Sequence, residues 1–257
     1  MGRKILFVIG LLCLIVPVGI QIWDRQQQKN VIATHWEKLE KVDEEIQQNM
    51  VKSARTYNEK LYRGTEVIEM NYEEMLNLAN DGIMGTIEIP KISLRLPIYH
   101  GTEKDVLSKG IGHLKESSLP VGGEDTHCVL TGHRGLPNAE LFTRLDEMEK
   151  EDIFYIRVCG EVLTYKVSDI CIVEPEKVEV LEIQESKDKV SLITCTPYGL
   201  NTHRLIVTGE RIAEEEVVEV SKEIYSISKW NLLIIVIVLI SICVGIRKQI
   251  RGKRGVK

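Results

Sequence analysis

The chain lacks the patterns by which metal, nucleotide and nucleic-acid sites are usually recognised. Its six cysteines form no Cys-x-x-Cys pair and no cysteine–histidine pair at zinc-finger spacing, which argues against a structural metal. No glycine-rich phosphate cradle, basic stripe or internal repeat occurs. Because 44% of the 257 residues are hydrophobic, the chain still has ample apolar surface for a packed core, which excludes disorder throughout.

Charged residues are absent from two apolar runs, one near each end of the chain. The first run, residues 5–23, follows Arg3 and Lys4, and a helix of that length reaches roughly 28 Å, close to the hydrocarbon thickness of a bilayer. Such a run is typical of a retained membrane anchor or of a cleaved signal peptide. Since no small-x-small cleavage site follows Trp23, we favour the retained anchor.

The second run, residues 232–246, is short for a membrane span unless the residues just before it contribute. Tyr225 and Trp230 stand where an interfacial aromatic belt would require them, so we predict a second transmembrane helix at 230–246. A buried core helix is the alternative.

The two ends carry basic residues and no acidic ones, which predicts their orientation. Two of the 33 basic residues precede the first run and six follow the second, so the positive-inside rule places both termini in the cytoplasm. Residues 24–229 then lie on the outer face of the membrane, outside the cytoplasm. That part keeps 25 basic residues against all 38 acidic ones, a net charge of −13, which argues against nucleic-acid binding.

The part between the runs changes texture near residue 82. Before it, charged and amide residues dominate and apolar residues recur at helical spacing, which predicts a solvated helical stalk. After it, Gly, Pro and β-branched residues mark six or more short strands, which favour a closed β-barrel or a sandwich with one or two short helices. The predicted parts are the anchor 1–23, the stalk 24–81, the β-domain 82–212, a tether 213–229, the second span 230–246 and a basic tail 247–257.

Three segments supply the side chains that a cysteine acyl-transfer enzyme needs. A strand-like run ends at Cys195, and the turn after it would expose the thiol; an inert packed cysteine is the alternative. His133 likewise ends a strand-like run between Gly132 and Gly135; an ordinary surface histidine is the alternative. Arg204 opens a strand nine positions after Cys195, so a hairpin would place its guanidinium beside the thiol; a rim salt bridge is the alternative.

The remaining cysteines and histidines receive no catalytic role. Cys13 and Cys243 lie inside the apolar runs, where they act as small hydrophobic residues. Whether Cys128, Cys159 and Cys171 form disulfides in an exported domain is left open by the sequence. His203 neighbours Arg204, and strand alternation would turn the two side chains to opposite faces. The histidines predicted to be structural or exposed are His35, His100, His113 and His127.

Together these segments resemble the active-site pattern of the sortases, and of class C, pilin-polymerising sortases in particular. The resemblance covers roughly residues 82–212. Its motifs are Ile87-Glu-Ile-Pro-Lys-Ile92, Leu96-Pro-Ile-Tyr-His-Gly101, Gly110-Ile-Gly-His-Leu114, Ser118-Leu-Pro-Val-Gly-Gly123, Thr131-Gly-His-Arg-Gly-Leu-Pro137, Ser191-Leu-Ile-Thr-Cys-Thr-Pro-Tyr-Gly199 and Asn201-Thr-His-Arg204.

This resemblance implies a sortase-type closed β-barrel and a cysteine transpeptidase that uses no cofactor. Cys195 would cleave a Leu-Pro-x-Thr-Gly-like sorting signal between Thr and Gly through a thioester, with His133 as acid and base and Arg204 as oxyanion stabiliser. Thr194 and Thr131 flank the reactive residues and would contact the substrate backbone, or would simply fill strand positions. The acceptor would be an amine, expected to be a pilin lysine, outside the plasma membrane of a Gram-positive-type bacterium.

Two positions depart from the class C pattern. Ser191 stands where the family usually has Thr, which keeps the hydroxyl. The Asp-Pro-aromatic motif of the class C lid is missing, because none of the seven prolines follows an aspartate. Residues 54–80 occupy the place of that lid.

Two other functions stay open on the sequence alone. A housekeeping sortase would transfer the signal to the amine of a cell-wall peptide. A non-catalytic β-domain would only bind an extracellular peptide, and its Cys195 would be no more reactive than Cys128.

Overall fold

Eight β-strands close into one barrel in the computed structural model, which describes residues 2–64, 71–136, 140–177 and 179–213. The order around the barrel is β1-β2-β3-β4-β7-β8-β6-β5, with β5 closing on β1. The pairs β2–β3 and β4–β7 are parallel, and the other pairs are antiparallel. The strands are β1 Ile83–Ile89, β2 Leu94–His100, β3 Ile111–His113, β4 Thr126–Thr131, β5 Ile153–Val158, β6 Glu161–Val173, β7 Asp188–Thr196 and β8 His203–Arg211. The predicted closed β-barrel is confirmed.

The barrel interior is filled by the apolar residues of alternating strand positions. On β5, for example, Phe154, Ile156 and Val158 are fully buried, while the residues between them are half-buried. A hairpin joins β5 to β6. Its two-residue turn is Cys159–Gly160, both with positive φ, which matches the right-handed twist of the flanking strands.

Two long helices precede the barrel, namely α1 Gly2–Leu39 and α2 Glu44–Tyr62. The side chain of Asp43 caps α2 by accepting a hydrogen bond from the Glu45 amide at 2.8 Å. One face of α2 buries Val51, Ala54 and Tyr57 in the same hydrophobic core as the barrel strands. The sequence predicted a solvated stalk here, and that prediction is wrong for α2, because its i, i+3, i+6 apolar face packs against the barrel.

The C-terminal end of α1 is tied to the start of the barrel. Nδ1 of the buried His35 lies 3.2 Å from the Asp81 carboxylate, and Lys38 Nζ lies 3.3 Å from it. A one-turn helix α3, Lys104–Leu107, and four 3₁₀ turns complete the elements in the described ranges.

The predicted membrane segments keep the status of predictions. Within the described residues, no helix combines the length and the apolar character that crossing a bilayer requires. The span predicted at 230–246, the basic tail and nearly all of the tether lie outside the described residues.

Candidate active site

Cys195 and Arg204 are direct partners in the antiparallel ladder of β7 and β8. Cys195 is the penultimate residue of β7 and Arg204 is the second residue of β8, so both lie at the same mouth of the barrel. Opposed residues of an antiparallel pair point to the same face, with Cβ atoms about 4.5–5.5 Å apart. The β7–β8 hairpin therefore places a half-buried thiol beside a half-buried guanidinium, as the sequence predicted.

His133 reaches the same mouth from β4. The parallel register of β4 and β7 aligns Thr131 with Ile193, and one more contact follows, because the Gly132 amide donates to the Ile193 carbonyl at 3.0 Å. Continuing this register places His133 level with Cys195. The structure thus brings the positions of all three predicted catalytic residues together.

The side chains of Cys195 and His133 differ from that of Arg204 in their hydrogen bonding. Among the described residues, neither the Cys195 thiol nor the His133 imidazole forms a hydrogen bond. The Arg204 guanidinium is anchored through Nη1, which donates to the carbonyls of Asn201 at 3.2 Å and His203 at 3.1 Å. Its Nε and Nη2 donate to no acceptor within the described part of the chain, so they remain available to an incoming oxygen.

The other cysteines of the barrel lie in environments that suppress thiolate formation. Burial raises the pKa of the Cys128 thiol well above its ordinary value, and it raises the pKa of the Cys159 thiol to about 12. Burial also raises the pKa of Cys171. All three are free cysteines, so the disulfides that the sequence left open do not form among them.

The two threonines predicted to contact substrate have their hydroxyls engaged by the protein. The Thr194 side chain is 1% exposed, and its hydroxyl donates to the Gly132 carbonyl at 2.8 Å. The Thr131 hydroxyl donates to the Ile193 carbonyl at 3.3 Å. Both hydroxyls therefore join β4 to β7, and this geometry favours positioning of the His133 loop over direct substrate contact.

The remaining histidines do not face the thiol. His203 is level with the buried Thr196 and its Nδ1 lies 2.9 Å from the Thr202 hydroxyl, so alternation turns it away from Arg204. Three others are buried with hydrogen bonds to backbone carbonyls, which agrees with their predicted structural role. These are His100, His113 and His127.

A buried polar chain lies below the active site on the β4–β7–β8 face. The Thr208 and Ser191 hydroxyls are 2.8 Å apart, and the Ser191 hydroxyl lies 2.8 Å from His127 Nε2. His127 Nδ1 lies 3.0 Å from the Glu182 carbonyl, which identifies Nδ1 as the protonated nitrogen and Nε2 as the acceptor from Ser191. The hydroxyl that Ser191 shares with the usual threonine therefore has a defined partner.

Sequence reasoning missed Arg134, which follows His133. Its side chain is 9% exposed, forms an ion pair with Asp146, and donates from Nη1 to the Thr196 hydroxyl at 3.1 Å. The signal was present in the Gly-His-Arg-Gly motif, but an arginine next to a histidine does not reveal its partners.

The segment in the place of a lid is described only in part. Residues 65–70 lie outside the described residues. The segment that follows is docked on β2 and β3 through Tyr72, whose hydroxyl lies 2.8 Å from His113 Nδ1 and accepts from the Gly101 amide at 3.0 Å. Within the described ranges, no group of His, Cys, Asp or Glu side chains could hold a metal ion.

Comparisons with known proteins agree with this geometry. A family model described as the Sortase domain matches residues 87–212. Sortase C1 from Streptococcus agalactiae is 39% identical, with 72% of this chain and 98% of that chain covered and a TM-score of 0.68. Clostridium perfringens sortase C, solved with the C-terminal cell wall sorting motif, is 42% identical, with coverages of 72% and 98% and a TM-score of 0.64. Sortase D of Bacillus subtilis is 36% identical over 131 residues, which are 50% of this chain and 63%, less than two thirds, of that relative.

Proposed function

Because the chain belongs to the sortase family of cysteine transpeptidases, we propose that it cleaves a Leu-Pro-x-Thr-Gly-like sorting signal and transfers it to an amine, namely a pilin lysine. The observation that carries this proposal is the cross-strand pair of Cys195 and Arg204, with His133 level with it on the neighbouring strand. Likeness to class C structures, one of them solved with a sorting motif, supports the substrate and the pilin acceptor.

The first half of the reaction forms a thioester. The Cys195 thiolate attacks the carbonyl carbon of the substrate threonine, and the negative charge that develops on oxygen is stabilised by the free N–H groups of Arg204. The C–N bond to glycine then breaks while His133 gives its proton to the departing amine.

The second half restores the enzyme. The acceptor amine loses a proton to His133 and attacks the thioester carbonyl, and Arg204 again stabilises the oxyanion. The C–S bond breaks and Cys195 leaves as thiolate, so one amide bond has replaced another. Since the bond energy is kept in the thioester, the reaction consumes no nucleotide.

We further propose that the enzyme is membrane-anchored with the barrel outside the cell. The uncharged run at 5–23, the run at 232–246 and the basic residues outside both runs support this orientation.

The test is to incubate the purified chain with a sorting-signal peptide and compare acceptor amines. Mass spectrometry should detect a thioester on Cys195, and a lysine-containing pilin peptide should resolve it faster than a cell-wall peptide. Cys195→Ala and His133→Ala should abolish cleavage, whereas Cys171→Ala, which alters another half-buried thiol, should not. Preference for the cell-wall peptide would instead support a housekeeping sortase, and cleavage by Cys195→Ala would refute the mechanism.

A further inference from the structure

Arg134 connects the residue after the predicted base with the residue after the predicted nucleophile. It follows His133 in the chain, and its Nη1 donates to the hydroxyl of Thr196, which follows Cys195, at 3.1 Å. Its Nη2 forms an ion pair with Asp146 in the 3₁₀ turn Leu145–Glu147. One guanidinium thus bridges three separate segments at the mouth of the barrel.

The turn after Cys195 also packs against the loop after His133. The guanidinium carbon of Arg134 lies 6.0 Å from the centre of the Tyr198 ring, within the range of a cation–π contact. The same ring covers Gly135, where an added Cβ would lie 2.7 Å from Tyr198 Cε2. Two adjacent residues of the His133 loop are therefore fitted to one aromatic side chain of the Cys195 turn.

Stability alone does not account for a charge at this position. The Arg134 side chain is 9% exposed, and its Nε is buried with no hydrogen-bond partner in the described part of the chain. An ion pair whose carboxylate is 48% exposed, like that of Asp146, brings little net stability, and an unpaired buried N–H costs free energy. An arrangement that is costly for the fold and adjacent to both reactive residues indicates a role in the reaction.

Several bonds hold the His133 loop, and one of them is donated by the Gly135 amide to the Thr143 hydroxyl at 3.0 Å. The bonds of β4 to β7 end at Gly132, and His133 keeps one backbone bond, in which its carbonyl accepts from the Phe142 amide at 3.2 Å. Proton transfer between the imidazole and the reacting atoms depends on their separation within a fraction of an ångström. The Thr194 hydroxyl and the bonds to Phe142 and Thr143 hold the loop, and the Arg134 side chain adds a direct bond from this loop to the residue after Cys195.

We propose that Arg134 is a positioning residue that sets the distance between His133 and Cys195 by clamping the loop after His133 to Thr196. This positioning role concerns the same active site as the proposed function and rests on that function. The planar fork of arginine serves Thr196 and Asp146 at the same time, and the single ammonium of a lysine cannot reproduce both directions. The side chain acts through its neighbours and does not touch the substrate.

Two variants distinguish the effect of the planar guanidinium geometry from the effects of its charge and of a general loss of folding. Arg134→Lys keeps the charge and removes the fork, and Thr196→Val removes the acceptor while keeping the shape. Each should lower kcat for peptide cleavage about tenfold or more and leave KM within about twofold, because loss of alignment affects the reaction more than binding. Arg95→Lys, an exposed ion-paired arginine on β2, is the matched control and should retain wild-type kcat.

A double-mutant cycle of Arg134→Gln and Thr196→Val provides the readout that a general loss of stability would not give. If the clamp is one unit, the double variant is hardly slower than the slower single variant. Additive losses in kcat, or full activity of Arg134→Lys, would overturn the positioning role. An unaltered chain that forms no thioester would overturn the proposed function instead, so the two failures are distinguishable.

Discussion

Cys195 lies directly across the β7–β8 ladder from Arg204, and this pairing fixes the chemistry at the mouth of the barrel. The two residues belong to one hairpin, so their relative position depends on local register and not on a distant contact. His133 depends on the parallel β4–β7 pairing, which joins segments about 60 residues apart in the sequence. The nucleophile and the oxyanion donor are therefore set by the hairpin, and the acid–base partner is set by the closure of the barrel.

The first prediction concerns thiol reactivity. Among the four barrel cysteines, a thiol-alkylating reagent at neutral pH should label Cys195 first, because burial raises the pKa values of Cys128, Cys159 and Cys171 and keeps them as neutral thiols. Peptide mapping after short exposure measures this order. Equal labelling of Cys195 and Cys128 would favour a non-catalytic peptide-binding domain.

The second prediction concerns the oxyanion donor. Arg204→Ala should lower kcat on the order of a hundredfold, as for loss of one oxyanion donor, with a smaller effect on KM. Arg211→Ala, at the opposite end of the same strand, should keep kcat within about twofold of the unaltered chain, as expected for a side chain remote from the reacting atoms. A normal kcat in Arg204→Ala would assign the stabilisation to another group.

The third prediction concerns the buried polar chain. Ser191→Ala removes the donor to His127 Nε2 and the partner of Thr208, so the free energy of unfolding should fall by about 1–3 kcal/mol. Ser168→Ala removes the longer hydrogen bond, 3.3 Å, from the half-buried Ser168 hydroxyl on β6 to the Thr208 carbonyl. It should lower the free energy of unfolding by less than about 0.5 kcal/mol. Urea unfolding at pH 7 compares the two variants. Equal losses in the free energy of unfolding would argue against a stabilising role of the buried polar chain.

The fourth prediction concerns pH. Burial lowers the pKa of His113 from its ordinary value of 6.5 to about 4. The unfolded chain therefore binds more protons than the folded protein between these values, so the stability held above pH 6.5 is lost as pH falls towards 4. The contribution of this one group is roughly 3 kcal/mol.

Urea titrations at pH 7 and pH 5 measure this dependence. His113→Gln cannot titrate, so its stability should decline less steeply on acidification. The glutamine can still donate to the Ser118 carbonyl but loses the imidazole contact with the Tyr72 hydroxyl, so the variant should be less stable at pH 7. His35 and His127, whose pKa values burial also lowers, would account for the decline that remains. An unchanged slope in His113→Gln would assign the whole effect to those two.

The fifth prediction compares two glycines with the same backbone conformation. Gly135 and Gly199 both have φ of +79°; a Cβ added at Gly135 would lie 2.7 Å from Tyr198 Cε2, whereas one added at Gly199 would meet nothing within 4 Å beyond its chain neighbours. Gly199→Ala should cost about 1–2 kcal/mol for the left-handed backbone alone. Gly135→Ala should cost more and should also lower kcat, because the new methyl group displaces Tyr198 or the His133 loop; equal effects would show that this contact is unimportant.

Much of the barrel was predictable because its strands carry strong local signals. The six or more short strands predicted after residue 82 correspond to the strands of the barrel, and the alternation that turns His203 away from Arg204 follows from two-residue periodicity. The helical stalk predicted at 24–81 contains α2, which was wrongly expected to be solvated. Its apolar face is short and diluted by charged residues, and a sequence does not show what such a face meets.

The strand ends that carry Cys195, His133 and Arg204 followed from local sequence alone, because a strand that runs into a turn exposes its last residue whatever it packs against. The three-dimensional structure was needed to show that β4 lies beside β7, that the hydroxyls of Thr194 and Thr131 are used inside the protein, and that Arg134 joins the two loops. Local signals arise from neighbours in the chain, whereas these contacts arise from barrel closure, which brings together groups that no spacing relates.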